Sequence, residues 1–122
     1  MKLSALREFL HGRLSAAQFL LGFGPQLQQY RQALSKKGSP ASIQVTEDVD
    51  LAVGRAEVLF LCSQFTAGAI AREQLAYIAD GLQLSDRVTF ADEWVFDVVA
   101  EFTDPEINGP FTGERANELL RG

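Results

Sequence analysis

One cysteine and one histidine occur in 122 residues. Cys62 has no partner within the chain, so an intrachain disulfide is excluded, and a free thiol suits a reducing, cytoplasmic setting. Cys62 and His11 are far apart in sequence and form no ligand cluster of the usual spacing, so neither a metal nor another cofactor is expected. His11 reads as a satisfied surface or helix-end histidine, and Cys62, in the most apolar segment, as a core thiol. A reactive thiolate needs electropositive, partly exposed surroundings. A Ser-His-Asp or Cys-His mechanism would have to use His11, and the chain has no nucleophile elbow. Gly22-Phe23-Gly24-Pro25 lacks the Gly-x-x-x-x-Gly-Lys pattern, and Pro25 removes an amide that a phosphate cradle needs. That stretch reads as a helix kink or turn. Long apolar runs are missing as well. Val58 to Cys62 is too short to span a bilayer, and Arg7 and Glu8 interrupt the start before a secretory apolar region develops. The expectation is a non-enzymatic, cytoplasmic protein with no membrane partner.

Basic residues are scarce where acidic ones gather. Asp80, Asp86, Asp92, Glu93, Asp97, Glu101, Asp104 and Glu106 lie between positions 80 and 110, opposed along the sequence only by Arg87. Residues 1 to 40 read the other way, with Lys2, Arg7, Arg13, Arg31, Lys36 and Lys37 against Glu8. A net charge of -5 disfavours nucleic acid as ligand, because neutralising phosphates requires excess Lys and Arg. An acidic end instead suits a basic partner, which it attracts over distance while repelling like-charged ones.

The chain is long enough to bury a core as one domain, residues 1–122, and its hydrophobic periodicity is helical nearly throughout. This predicts an all-α, compact bundle of five to seven helices, with room for one short extended segment. Leu3, Leu6, Phe9 and Leu10 mark a first helix that Gly12 ends. Ser15 and Gln18 form a capping box for a second, with Phe19, Leu20 and Phe23 as core candidates. Pro25 could start a helix carrying Leu27, Tyr30 and Leu34, and residues 36 to 42 read as a loop. Ile43 to Val45 could be briefly extended. Thr46 reads as the cap of a long helix over 47–65, with Glu47, Asp48 and Asp50 at its positive end. Apolar residues on nearly every side predict this to be the central, most buried element. The next helix carries Ile70, Leu75 and Ile78 and stops at Gly81 in a left-handed cap. Leu82, Leu84, Val88 and Phe90 then cover the core in an irregular or briefly extended segment. Asp92 caps a helix over 93–103, residues 104–110 cannot continue it and read as one helical turn capped by Gly109, and Thr112 caps a last helix bearing Leu119 and Leu120.

The 93–103 helix carries the candidate interface. On a helical wheel Glu93, Asp97 and Glu101 form one stripe, while Val95, Val98, Val99 and Phe102 face the core. Trp94 and Phe96 border the stripe. Like charges four residues apart cost a helix a few tenths of a kcal/mol, roughly, so an unpaired ladder is locally unfavourable. A cationic partner would offset that cost. Asp92, Glu93, Asp97 and Glu101 are the candidates for charge complementarity, and Trp94 or Phe96 for an aromatic anchor. The competing reading is a solvated face with Trp94 completing the core.

Leu6-Arg7-Glu8-Phe9-Leu10-His11-Gly12-Arg13-Leu14-Ser15-Ala16-Ala17-Gln18-Phe19 resembles the opening of bacterial immunity proteins related to the colicin D immunity protein. There a short helix ending Phe-Leu-x-Gly leads into Leu/Ile-Ser-Ala-x-x-Phe. Val88 to Glu93 and Thr103 to Pro110 resemble segments of small helical proteins from contact-dependent growth inhibition systems. The resemblance covers about an eighth of the chain at its N-terminal match, so no binding residue is carried over from the family. It implies a helical, non-catalytic cytoplasmic inhibitor of a cognate toxin domain, often a ribonuclease. Such toxins have basic clefts, which an acidic protein can occupy. The alternative from another class is a small helical adaptor or regulatory protein that binds a basic protein or peptide. A third is an enzyme using two of the carboxylates.

Overall fold

The computed structural model describes residues 1–22, 45–103 and 111–122. Over these residues the chain folds as α1 (Leu3–Leu10), α2 (Ala16–Leu21), β1 (Leu51–Val53), α3 (Arg55–Thr66), α4 (Arg72–Leu84), β2 (Val88–Phe90), α5 (Glu93–Glu101) and α6 (Gly113–Arg121). The fold is therefore mostly helical rather than all-α. β1 and β2 pair in parallel, Leu51 with Val88, Ala52 with Thr89 and Val53 with Phe90. The helix placed around Leu27 to Leu34, the 36–42 loop, Ile43 and the 104–110 turn lie outside the described residues.

The N-terminal pattern holds as read. Leu3, Leu6, Phe9 and Leu10 are the buried residues of α1, and Gly12 ends it at φ +77°, a conformation that costs other residues 1 kcal/mol or more, roughly. Ser15 Oγ accepts from the Gln18 amide at 3.1 Å, and Gln18 Oε1 accepts from the Ser15 amide at 3.1 Å. This capping box closes the start of α2. Phe9 and Phe19 stack with ring centroids 4.8 Å apart, and Phe60 of α3 meets Phe9 edge-on at 5.1 Å.

The long helix over 47–65 is corrected. α3 starts at Arg55; residues 46–50 are not helical, and Leu51–Val53 form β1. The acids read as its first turn have other work. Asp48 accepts from the Ser4 amide at 3.0 Å and from the Ser4 hydroxyl at 2.6 Å. It thereby satisfies an open amide at the start of α1, whose own N-cap residue, Lys2, makes no side-chain cap. The Arg87 amide donates to Glu47 Oε1 at 3.0 Å, its Nη1 to the Glu47 carbonyl at 2.9 Å and its Nε to Asp50 at 2.8 Å. Thr46 exchanges backbone hydrogen bonds with the N-terminus, donating to the Met1 carbonyl at 2.7 Å and accepting from the Leu3 amide at 3.0 Å. With the polar groups of 46–50 engaged at both sides, Leu51 and Val53 point into the core and Ala52 outward, the alternation of a strand.

The core is centred differently as well. α3 touches α1, α4, α5, α6 and β1, but the most buried element is α4, where Leu75 to Ala79, Gly81 and Leu82 are all buried. Gly81 is not a left-handed cap: the helix runs through it to Leu84, and the Ser85 hydroxyl donates to the Gly81 carbonyl at 2.7 Å. A mid-helix glycine costs about 0.5 to 1 kcal/mol. Continuing the helix buries Leu82 completely, worth about 1.5 to 3 kcal/mol, which decides the matter. Phe111 packs on Phe102 and Phe65, joining the start of α6 to α5 and α3.

Candidate functional site

Helix α5 follows β2 after Ala91 and Asp92. Asp92 is its N-cap, with Oδ1 accepting from the Val95 amide at 2.9 Å. The other Asp92 oxygen lies 3.5 Å from Arg55 Nε, and the Arg55 guanidinium sits 4.6 Å from the centre of the Trp94 ring. The first residue of α3 thus neutralises the first acid of the candidate site and covers its tryptophan, which is half-buried. Val95, Val98 and Val99 face the core as read.

At the far end, Glu101 is gripped by Arg115 of α6 in a two-pronged pair, Nε to Oε1 at 2.9 Å and Nη2 to Oε2 at 3.0 Å. Arg115 also reaches Glu118 at 3.2 Å. The hydrogen bond to Glu101 leads the causes that raise Arg115 above its ordinary pKa. Glu101 is therefore part of the α5–α6 junction. Cys62 lies beneath, buried, its thiol pushed up to about 11 by loss of solvent.

Between these ends the helix presents exposed side chains. Glu93 and Asp97 are exposed and make no ion pair among the described residues. Phe96 flanks them on the helix surface, 46% exposed, with its ring edge-on to Phe90 of β2 at 5.3 Å. The six predicted residues share one helix but divide by role. Asp92 and Trp94 engage Arg55, Glu101 engages Arg115, and Glu93, Phe96 and Asp97 are exposed, the two acids without an ion pair among the described residues.

Sequence reasoning missed Arg55 and Arg115, which approach this helix from outside the 80–110 acidic stretch. Arg87, the cation that opposes that stretch along the sequence, turns instead to Glu47 and Asp50. No local signal marks a pairing between residues as distant as Arg55 and Asp92. The acidic polarity is thus narrower in space than in sequence. Among the described residues no group of three or more His, Cys, Asp and Glu could hold a metal ion, and no helix is long and apolar enough to cross a membrane. Comparison with protein-family models, curated proteins and solved structures finds no match for this chain.

Proposed function

We propose that the chain is an immunity protein that acts in the cytoplasm, binding and neutralising a cognate toxin domain without chemistry of its own. The partner is a basic nuclease, and the contact centres on Glu93, Phe96 and Asp97. The observation that carries this reading is the conjunction, on one helix, of an exposed aromatic ring and two exposed carboxylates with no ion pair among the described residues, where the neighbouring Asp92 and Glu101 both have arginine partners. An aromatic anchor rimmed by charge is the usual composition of a protein–protein hot spot. The resemblance of residues 6 to 19 to colicin D-type immunity proteins supports the same reading. Its matched residues build the α1–α2 hairpin on the side of Phe9 and Phe19, so they bear on the scaffold and the acidic face bears on the partner.

The test is protection of cells. The chain is co-expressed with the basic toxin domain encoded beside it. Wild type should protect, and Glu93→Lys with Asp97→Lys should not. The association rate of the wild-type pair should fall as salt rises. Protection by the double variant, or a neighbouring product that is neither toxic nor bound, would defeat the proposal.

A further inference from the structure

The parallel pair β1–β2 leaves an edge next to the acidic-aromatic face. The Leu51 amide donates to the Arg87 carbonyl at 3.0 Å and the Ala91 amide to the Val53 carbonyl at 2.9 Å. Residues 87, 89 and 91 therefore turn their backbone groups toward β1. By alternation, the N–H and C=O of Val88 and Phe90 turn the other way. Among the described residues no backbone group pairs with them on that side. Such an edge is a template for a further strand unless something blocks it. Phe96 meets Phe90 ring to ring, so the helix that carries the exposed Glu93 and Asp97 packs against the strand that owns this edge.

We propose that the edge of β2 receives an extended, lysine- or arginine-rich segment of the partner, which adds to the sheet as a strand. This deepens the function proposed above and rests on it. The backbone of the segment would pair with Val88 and Phe90, an apolar side chain would lie on Phe96, and its cations would meet Glu93 and Asp97. Strand addition draws affinity from main-chain hydrogen bonds and specificity from the alternating side chains. Charge selects the occupant. A second copy of this chain would bring its own Glu93 and Asp97 to the same edge, and like charges there oppose pairing. A basic segment meets the opposite sign.

The experiment titrates the full, nitrogen-15-labelled chain with an alternating Lys-Val octapeptide. The control is the same peptide with every internal amide methylated, equal in charge but unable to donate. Strand addition predicts shifts at Val88, Phe90 and Phe96, and about tenfold slower amide exchange at Val88 and Phe90. It also predicts about tenfold weaker binding of the methylated peptide, the equivalent of a hydrogen bond or two. Glu93→Lys with Asp97→Lys should abolish binding of the unmodified peptide. Equal affinity for both peptides, protection confined to other amides, or no binding of either would overturn strand addition. The protection assay reads the toxin hypothesis separately. Peptide failure with charge-sensitive protection sinks only the strand, and edge binding with charge-insensitive protection sinks only the toxin reading.

Discussion

The Glu101–Arg115 pair makes a prediction that also decides how the acidic face should be probed. Arg115 donates twice to Glu101 and once to Glu118, and the two members of the main pair are 41% and 37% exposed. A two-pronged charged contact is roughly twice as strong as a neutral hydrogen bond, but exposure of this extent lets water and salt screen it. The coupling should therefore be about 1 kcal/mol, well below that of a fully buried pair. The singles should differ. Glu101→Ala leaves Arg115 its contact with Glu118 and should cost about 1 kcal/mol, whereas Arg115→Ala removes both contacts and should cost about 1.5 to 2 kcal/mol. In a domain of this size 1 kcal/mol lowers the melting temperature by about 3 to 6 °C. The assay is a double-mutant cycle by urea unfolding, repeated in high salt, where the coupling should shrink. Coupling below about 0.3 kcal/mol at low salt, or a costlier Glu101→Ala than Arg115→Ala, would refute the reasoning. Glu93→Lys with Asp97→Lys should leave stability within about 0.5 kcal/mol, so a loss of binding there is a loss of contact. A reversal that included Glu101 would place a lysine against Arg115 and confuse the two effects.

Val53→Asp should prevent stable folding, because the site is 1% exposed and an unpaired buried carboxylate costs several kcal/mol, roughly the stability of a small domain; an unchanged melting curve would refute this. The Cys62 thiol should resist thiol-reactive dyes at neutral pH in the folded chain and react at once in denaturant, since burial holds it near pH 11; rapid native-state labelling would contradict that. Asp48 and Asp50 are held below the ordinary carboxylate range, Asp48 by hydrogen bonds from Ser4 and Asp50 by Arg87. A folded pKa below the unfolded one stabilises above the unfolded value and loses that contribution as pH falls through the folded value. The melting temperature should accordingly drop on acidification below about pH 4, and Asp48→Asn should flatten that drop.

Local chemistry was the legible part of the sequence. The Gly12 stop, the Ser15–Gln18 box and the caps by Asp92 and Thr112 each involve residues within one turn of helix, and the structure forms all of them. The errors arose where a local rule had a distant competitor. Glu47, Asp48 and Asp50 after Thr46 satisfy every local condition for a helix start, yet Ser4 and Arg87 claim them. Gly81 satisfies the local condition for a stop, yet Leu82 lies on the same buried face as Leu75 and Ile78 and carries the helix onward. The candidate site shows the same division. The helical wheel placed Glu93, Asp97 and Glu101 on one stripe correctly, but Arg115, which takes Glu101 out of it, comes from another helix.

The segment that joins Ser4, Arg87 and residues 46–53 also sets a time scale. Its hydrogen bonds join residues 44, 40 and 37 positions apart, whereas each helix closes over four. Closing such loops sacrifices chain entropy before any pairing compensates, and mean contact separation governs how fast small domains fold. Refolding of this chain should therefore lag behind that of an up-and-down bundle of equal length. Its helices can flicker into being in under a microsecond, but the parallel strands must wait for both flanks of the molecule to find the same few residues.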